Sequence, residues 1–439
     1  MCLLAAYLDL HSHHTLTEVV ADLTDDRRQL LTLSQAEGNI SMTTAFARAY
    51  RDLHEDAQEV YHLIGVHPGA AIGAEVVAAV LGIERADAVR RLDGLADRSL
   101  ATRENEDGSY HVSHEAHRHA AELARNRFSD SEAKRLFCRI AHWYLFALCA
   151  ANKLAMPRRR VWEYPATESI AAVGVPAKIT DRVSALTWLE AHRDAYLEVI
   201  KQTDRYGWHE LTYHLADALV PLLIKHNHVG LTVGFCTIGL HAAQYAENTD
   251  AQVSFAKYLI RAHAKRGEFG QADELVALLP GLAGNDPRRQ AAVLKYQAYV
   301  TTQRGVHAAK ADDLVPAVQY WREAVSPLRQ SVDIVRALGD RRSEGLTLTD
   351  LGEVYLLLSE PANALDVLAQ AYEVLEEIDE DPYNLARIQY GLGRAHAKMN
   401  DSPTAGEYLQ LAVEAFRADG AHHYVATIAQ LITNLPQPH

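Results

Sequence analysis

The chain has 439 residues, 48% hydrophobic and 23% charged, a globular composition that excludes a disordered or low-complexity protein. Its length exceeds one ordinary core and implies about two to four domains. The formal net charge of −14, with no basic tract longer than Arg158-Arg159-Arg160, lacks the clustered positive charge of a nucleic-acid reader, so no direct nucleic-acid partner is expected.

The four cysteines, Cys2, Cys138, Cys149 and Cys236, form no C-x-x-C pair and read as buried thiols in a reducing, cytoplasmic compartment. Met1–Leu8 is apolar but lacks a basic flank and is followed by Asp9, His11, His13 and His14. It is neither a signal peptide nor a span, and no run of about 18 apolar residues occurs elsewhere, so no membrane partner is expected.

In chain order, residues 1–52 read as a small helical unit, with Thr17 as a cap and Leu16, Val19, Val20 and Leu23 at helical spacing. Residues 53–127 follow with three short apolar-periodic segments, 54–66, 73–82 and 85–97. After them come two β-like runs, Leu100–Arg103 and Tyr110–Val112, joined through Asp107-Gly108 as a hairpin turn. That order outlines a winged helix. Its candidate DNA-facing helix, Glu84–Ala96, carries Arg85, Arg90 and Arg91, with Arg98 just beyond. Glu84, Asp87, Asp93 and Asp97 dilute that charge, so an internal docking surface is the expected role.

Residues 128–205 read as a helical connector. Glu132–Leu154 is long and apolar with Trp143 and Tyr144 at its centre, Pro157–Pro165 breaks it, and Ala185–Ile200 resumes the helical pattern. The aromatics there read as core.

Residues 206–439 repeat internally. Leu351-Gly352 recurs 41 residues on as Leu392-Gly393, and the same offset matches Ala364 with Ala405, Leu368 with Leu409, Ala371 with Ala412 and Leu375 with Phe416. Arg261-Ala-His-Ala-Lys-Arg-Gly267 with Ala272 echoes Arg394-Ala-His-Ala-Lys-Met-Asn400 with Ala405. About five tetratricopeptide-like helical hairpins are expected from about 207 to 432, with a kink at Pro327. The inner helices of such a solenoid are left to bind protein or peptide. Tyr355, Arg387, Tyr390, Arg394 and His396 are the candidate partner-binding residues.

Val60–Gly69 (VYHLIGVHPG), Leu92–Leu100 (LDGLADRSL) and the Tyr110–Ala124 tail together resemble the winged-helix subdomain of NB-ARC (STAND)-type signal-transduction ATPases. The nearest resemblance is to the actinobacterial antibiotic-regulatory type, which carries tetratricopeptide repeats at its C-terminus. The resemblance implies a mainly all-α protein: a helical subdomain, a winged helix, then a tetratricopeptide-repeat α-solenoid. It also implies a sensing role in transcriptional regulation of secondary metabolism. In the family the helical subdomain opens just after a Gly-x-Pro turn that contacts nucleotide, and this sequence begins past that point. No G-x-x-x-x-G-K-[ST] occurs, so no autonomous ATPase, no other catalysis and no bound cofactor are expected. The family places a His-Asp pair in the winged-helix tail, whose histidine senses the β-phosphate of ADP. Here Val112-Ser113-His114-Glu115 stands there, so His114 fills the role with Glu115 replacing aspartate, or the register puts Ser113 there.

His111, His114, His117 and His119 lack the spacing of H-E-x-x-H, and no metal is expected. A stand-alone adaptor that recruits a peptide or an enzyme is the alternative function. Apolar surface on residues 1–50 would favour a homo-oligomer.

Overall fold

The computed structural model describes residues 37–104, 109–157, 176, 179–225, 228–378, 382–419 and 421–435. The expected helices before residue 37, with the Thr17 cap, the Asp107-Gly108 turn and most of the Pro157–Pro165 loop lie outside the described residues. What is described is mainly helical, with one small sheet, and divides into two compact units. The first is Met1–Ala147 with Tyr164–Lys178 and His192–Gln202; the second is Leu148–Glu163 with Ile179–Ala191 and Thr203–His439.

In the first unit, α1 (Glu37–Arg51) leads to α2 (Glu55–Val66), which opens on Glu55 and Asp56, where carboxylates meet the positive end of the helix. Ala57, Val60, Tyr61 and Ile64 of α2 form its buried stripe, and the helix stops before Pro68, which disfavours helical backbone at His67. The strand β1 (Ala71–Ile72) precedes α3 (Ala74–Leu81), which is buried from Ala74 to Val80 and ends on Gly82 at φ 71°, a left-handed position open to glycine. Next come α4 (Arg85–Asp97), β2 (Thr102–Arg103), β3 (Tyr110–His111) and α5 (His114–Arg127). The antiparallel sheet has the order β1-β3-β2, with Ile72 opposite Tyr110 and Thr102 opposite His111. Three helices and this sheet make the expected winged helix. The strand β1 had no signature in the sequence: its two residues, within the three between Gly69 and Gly73, show no alternation. A Cβ on Gly65 would lie 2.2 Å from the Ala120 carbonyl oxygen, so α2 and α5 touch backbone to backbone there.

The long α6 (Asp130–Ala155) is followed by α7 (Arg182–Ala191) and α8 (Arg193–Arg205), then α9 (His209–Ala218), α10 (Val220–Lys225) and α11 (Val229–Tyr245). Four helical hairpins succeed them: α12 (Thr249–Arg266) with α13 (Phe269–Ala283), α14 (Pro287–Lys310) with α15 (Leu314–Ala337), α16 (Arg341–Leu357) with α17 (Pro361–Glu377), and α18 (Pro382–Lys398) with α19 (Ser402–Ala418). The helix α20 (His422–Thr433) packs on the last. Helix α15 continues through Pro327, and Pro316 sits in its first turn, where its missing N–H costs no helical bond.

The hairpins are built alike. Each turns through a left-handed residue: Gly267 at φ 76°, Asp312 at 59°, Ser359 at 59° and Asn400 at 62°. Five residues later stands a fully buried alanine, Ala272, Ala317, Ala364 and Ala405 in turn. Only a small side chain fits where the two helices of a hairpin approach most closely. Glycines on the first helix admit a large side chain from the second. A Cβ on Gly352 would lie 2.5 Å from Leu368 Cγ, one on Gly393 2.7 Å from Leu409 Cγ, and one on Gly305 2.4 Å from Trp321 Nε1. The 41-residue repeat read from the sequence is this packing register.

Candidate functional site

The first helices of the four hairpins each present a polar stripe at helical spacing: Lys257, Arg261 and Lys265 on α12, Lys295 and Tyr299 on α14, Asp350 and Glu353 on α16, and Tyr383, Arg387, Tyr390 and Arg394 on α18. Side-chain contacts join these stripes into one face. Asp350 receives Lys295 Nζ at 3.2 Å on one oxygen and Arg387 Nη2 at 3.2 Å on the other, tying α14, α16 and α18. The Arg261 guanidinium lies 4.5 Å from the Tyr299 ring centroid, tying α12 to α14. Arg394 donates from Nη1 to both carboxylate oxygens of Glu353, at 2.8 and 2.6 Å, and covers the Tyr390 ring at 5.3 Å. Tyr424 of α20 meets Tyr390 and Tyr383 edge-on, both with centroids 6.1 Å apart.

Solvent reaches this face: the side chains of Asp350 and Lys295 are 16% and 15% exposed. Protein nevertheless crowds it enough to move titrations. Burial works to raise the Asp350 carboxyl, but Lys295, Arg387 and Arg261 outweigh it and hold the group at about 2. Burial lowers Lys295, and Asp350 opposes that shift. Burial and the Lys295 charge lower Lys257. Lys265 reaches solvent, yet crowding on the inner side, with Arg261 and Arg387 near it, brings it to about 8. Three cations, Lys295, Arg387 and Arg261, thus share the field of one carboxylate, Asp350.

Of the residues expected to meet a partner, Arg387, Tyr390 and Arg394 lie together on this face. Tyr355 lies elsewhere: it is 3% exposed in the core between hairpins, where its hydroxyl accepts from Arg329 Nη2. His396 closes the turn after α18, with Nδ1 3.0 Å from Asp401 Oδ2 and its ring stacked on Tyr408. His263 and Glu268 repeat this tie at 2.7 Å after α12. The recurring Arg-Ala-His-Ala-Lys string therefore combines an inner-face arginine with a turn-closing histidine, and it could have pointed to Arg261. Lys257, Lys295 and Asp350 gave no separate signal, since their neighbourhood exists only once the helices stack.

In the first unit, His114 is the exposed first residue of α5, and Ser113 caps the helix by accepting from Ala116 N at 3.2 Å. The histidines with buried partners are others. His67 contacts the Tyr144 hydroxyl through Nε2 at 2.7 Å and the Gly69 carbonyl through Nδ1 at 3.0 Å; His117 Nε2 donates to the His67 carbonyl at 2.7 Å. His119 lies 3.0 Å from the Tyr61 hydroxyl. Burial pushes His67 down to about 4. The arginines of the candidate DNA-facing helix are ion-paired: Arg85 with Glu75 at 2.8 Å, Arg90 with Asp56 at 2.9 Å and Arg91 with Glu59 at 2.7 Å. Among the described residues no helix is long and apolar enough to cross a membrane.

No family model matches the chain. Among curated proteins it is similar to "Regulatory protein AfsR" of Streptomyces griseus, 24% identical over 384 residues, which cover 86% of this chain and 37% of that protein. The chain thus spans about a third of that relative's length. The resemblance read from the sequence, to part of a repeat-bearing NB-ARC-type regulator, is borne out by this similarity. Among solved structures it is similar to a signal transduction ATPase with numerous domains bearing a tetratricopeptide repeat sensor, from Pyrococcus horikoshii, with TM-score 0.38 and 14% identity over 90% of this chain and 55% of that one. It is also similar to BtubC of P. vanneervenii, with TM-score 0.34 and 14% identity over 57% of this chain and 95% of that one. At such TM-scores these likenesses bear on neither mechanism nor partner.

Proposed function

We propose that the chain is the sensing part of a cytoplasmic transcriptional regulator, which takes a protein or peptide on the inner face of its repeats and hydrolyses no nucleotide itself. The observation that carries this reading is the inner face: charged and tyrosine side chains from four successive hairpins, crowded by protein yet open to solvent. Solenoids bury their apolar faces between repeats and leave such surfaces for extended ligands. The curated relative is named a regulatory protein, which supports regulation over recruitment alone. In this reading residues 53–127 are an internal docking hinge. Control of secondary-metabolite genes is the output expected from the family.

The test is selection of peptides on the purified chain from a displayed library, followed by photo-crosslinking from a benzoylphenylalanine placed at position 390 or at the exposed position 411 of α19. Selected peptides should crosslink from 390 and not from 411; crosslinks only from 411, or no enrichment, would overturn the reading. Titration with ADP and ATP should give no binding. Micromolar ADP binding would restore nucleotide sensing and make His114 the first residue to replace. The adaptor alternative predicts that a bound peptide leaves amide exchange in α2 and α5 unchanged, whereas the regulator predicts a change.

A further inference from the structure

The inner face gathers to a compact cluster around Asp350. Lys295 and Arg387 each hold one oxygen of that carboxylate at 3.2 Å, and Arg261 lies close enough for its charge to act on Asp350, Lys295 and Arg387 alike. Side chains of α12, α14, α16 and α18 therefore meet at one place, where Asp350 holds three cations together against their mutual repulsion. That is an excess of two positive charges, in a chain of 57 acidic and 43 basic side chains. Elsewhere the matching is closer: Arg336 and Arg341 share Glu344 and Glu377, and Arg90 and Arg91 share Asp56, Asp87 and Glu59.

Arg261 is the cation left over. Its guanidinium rests on the Tyr299 ring, 4.5 Å from the centroid, and among the described residues no hydrogen bond joins it to an acceptor. The hydroxyls of Tyr296 and Tyr299, both in the field of Arg261, likewise have no hydrogen-bond partner among the described residues, and none of these donors is sealed from solvent. Crowded donors that the protein leaves unbonded suit an acceptor from outside. We infer that this cluster binds a phosphate monoester, carried by a bound protein segment or by a small metabolite. The phosphoryl group lies against Arg261, with the Tyr296 and Tyr299 hydroxyls as further donors, and Lys295 and Arg387 act on it through their field without leaving Asp350.

Charge selects the monoester. At neutral pH it carries about −1.5 to −2 and presents three acceptor oxygens, which matches an excess of two, whereas a carboxylate, a sulfate ester or a phosphodiester carries a single charge. The planar fork of Arg261 suits two phosphoryl oxygens at once. Compactness selects one doubly charged group over a run of single charges, since cations that act on one another leave no row for an acidic segment to follow. Ring geometry excludes nucleotides and single-stranded nucleic acid, whose bases need open aromatic faces. Here Arg261 covers one face of Tyr299, Arg394 covers one face of Tyr390, and Tyr424 meets Tyr383 and Tyr390 edge to face.

The experiment is calorimetric titration of the full chain with phenyl phosphate, beside phenyl sulfate, the dicarboxylate phthalate and a single-stranded oligonucleotide, at about pH 7.5 and about pH 5. Phenyl phosphate should bind at least about tenfold more tightly than phenyl sulfate at the higher pH, and the ratio should shrink at the lower, where the phosphate regains its second proton. The ratio cancels titration of the protein itself, Lys265 at about 8 included. Arg261→Gln should lose at least about tenfold, and Tyr299→Phe, which keeps the ring under Arg261, about threefold, with far-UV circular dichroism as the control for folding. If Arg261→Gln does not fold, Tyr299→Phe decides. Equal binding of the two esters, tighter binding of phthalate or the oligonucleotide, or no loss in a folded variant would overturn the inference. A short alanine and glycine peptide with a central phosphoserine then separates the sources: binding tighter than that of phenyl phosphate assigns the group to a protein segment, and equal or weaker binding to a small metabolite. The peptide reading is tested apart from this one, since unphosphorylated library peptides that crosslink from position 390 keep it standing even where phenyl phosphate fails.

Discussion

Around His67 the first unit keeps its buried polar groups neutral, while around Asp350 the second keeps them charged. The imidazole of His67 lies between the Tyr144 hydroxyl and the Gly69 carbonyl, so both ring nitrogens find neutral partners, and burial lowers the basicity of the ring. The Asp350 carboxylate is flanked by Lys295 and Arg387, with solvent still in reach. A neutral, satisfied cluster contributes to stability and leaves little for a ligand. A crowded cluster with excess charge of one sign holds electrostatic energy that a ligand of the other sign can release. The contrast separates scaffold from site without reference to any relative.

Acid should break it most strongly. His67 sits at about 4 in the fold against 6.5 for the free side chain, so as pH falls the unfolded chain takes up the proton first. Stability from this group is complete above about pH 6.5 and is lost as pH falls from there to about 4, by about 3 kcal/mol, levelling off below. Hydrogen exchange of α2 and α5 amides, corrected for intrinsic rates, should show that loss, and His67→Gln should flatten it. Asp350, at about 2, stays ionised over the same range, so its contacts with Lys295 and Arg387 should hold.

Removing the Asp350 carboxylate tests the other half. Asp350→Ala leaves Lys295 and Arg387 facing each other and should cost about 2 kcal/mol in urea unfolding, partly recovered by added salt. Exchange in α2 and α5 should not respond. Tyr144→Phe, which strips His67 Nε2 of its partner, should cost about 1 kcal/mol and be insensitive to salt. The smallest effect is expected from Lys257→Gln: relief of like-charge crowding should hold the stability change within about 0.5 kcal/mol. A large stability loss there would make Lys257 part of the scaffold.

Much of the fold was legible because packing imposes periodic demands. Ala364 with Ala405 and Gly352 with Gly393 recur where helices must approach closely, and 54–66, 73–82 and 85–97 became α2, α3 and α4 with shifts of one residue. The candidate site was legible only in part. Arg387, Tyr390 and Arg394 share one stripe of one helix, so spacing alone groups them. Tyr355 sits at the position held by His263 and His396 in other repeats, four residues before the left-handed turn residue, and this position points into the hairpin and not onto its inner face. Lys257, Lys295 and Asp350 are separated by dozens of residues and carry ordinary surface identities. Only stacking of the hairpins makes them neighbours, and the acidic whole conceals a locally basic part.

The hairpins also differ in length. Helices α14 and α15 have 24 residues each, against 17 for each helix from α16 to α19. Short connections at 284–286 and 338–340 tie the far ends to the neighbouring helices, and Lys295 and Asp350 meet at similar depths from the starts of α14 and α16, so the surplus falls at the Asp312 end, where Leu314 and Val315 are exposed: seven residues, about two turns, or about 10 Å of helix. One hairpin therefore overhangs its neighbours like a handle, and a force applied at its tip acts with leverage on the Lys295–Asp350 contact below.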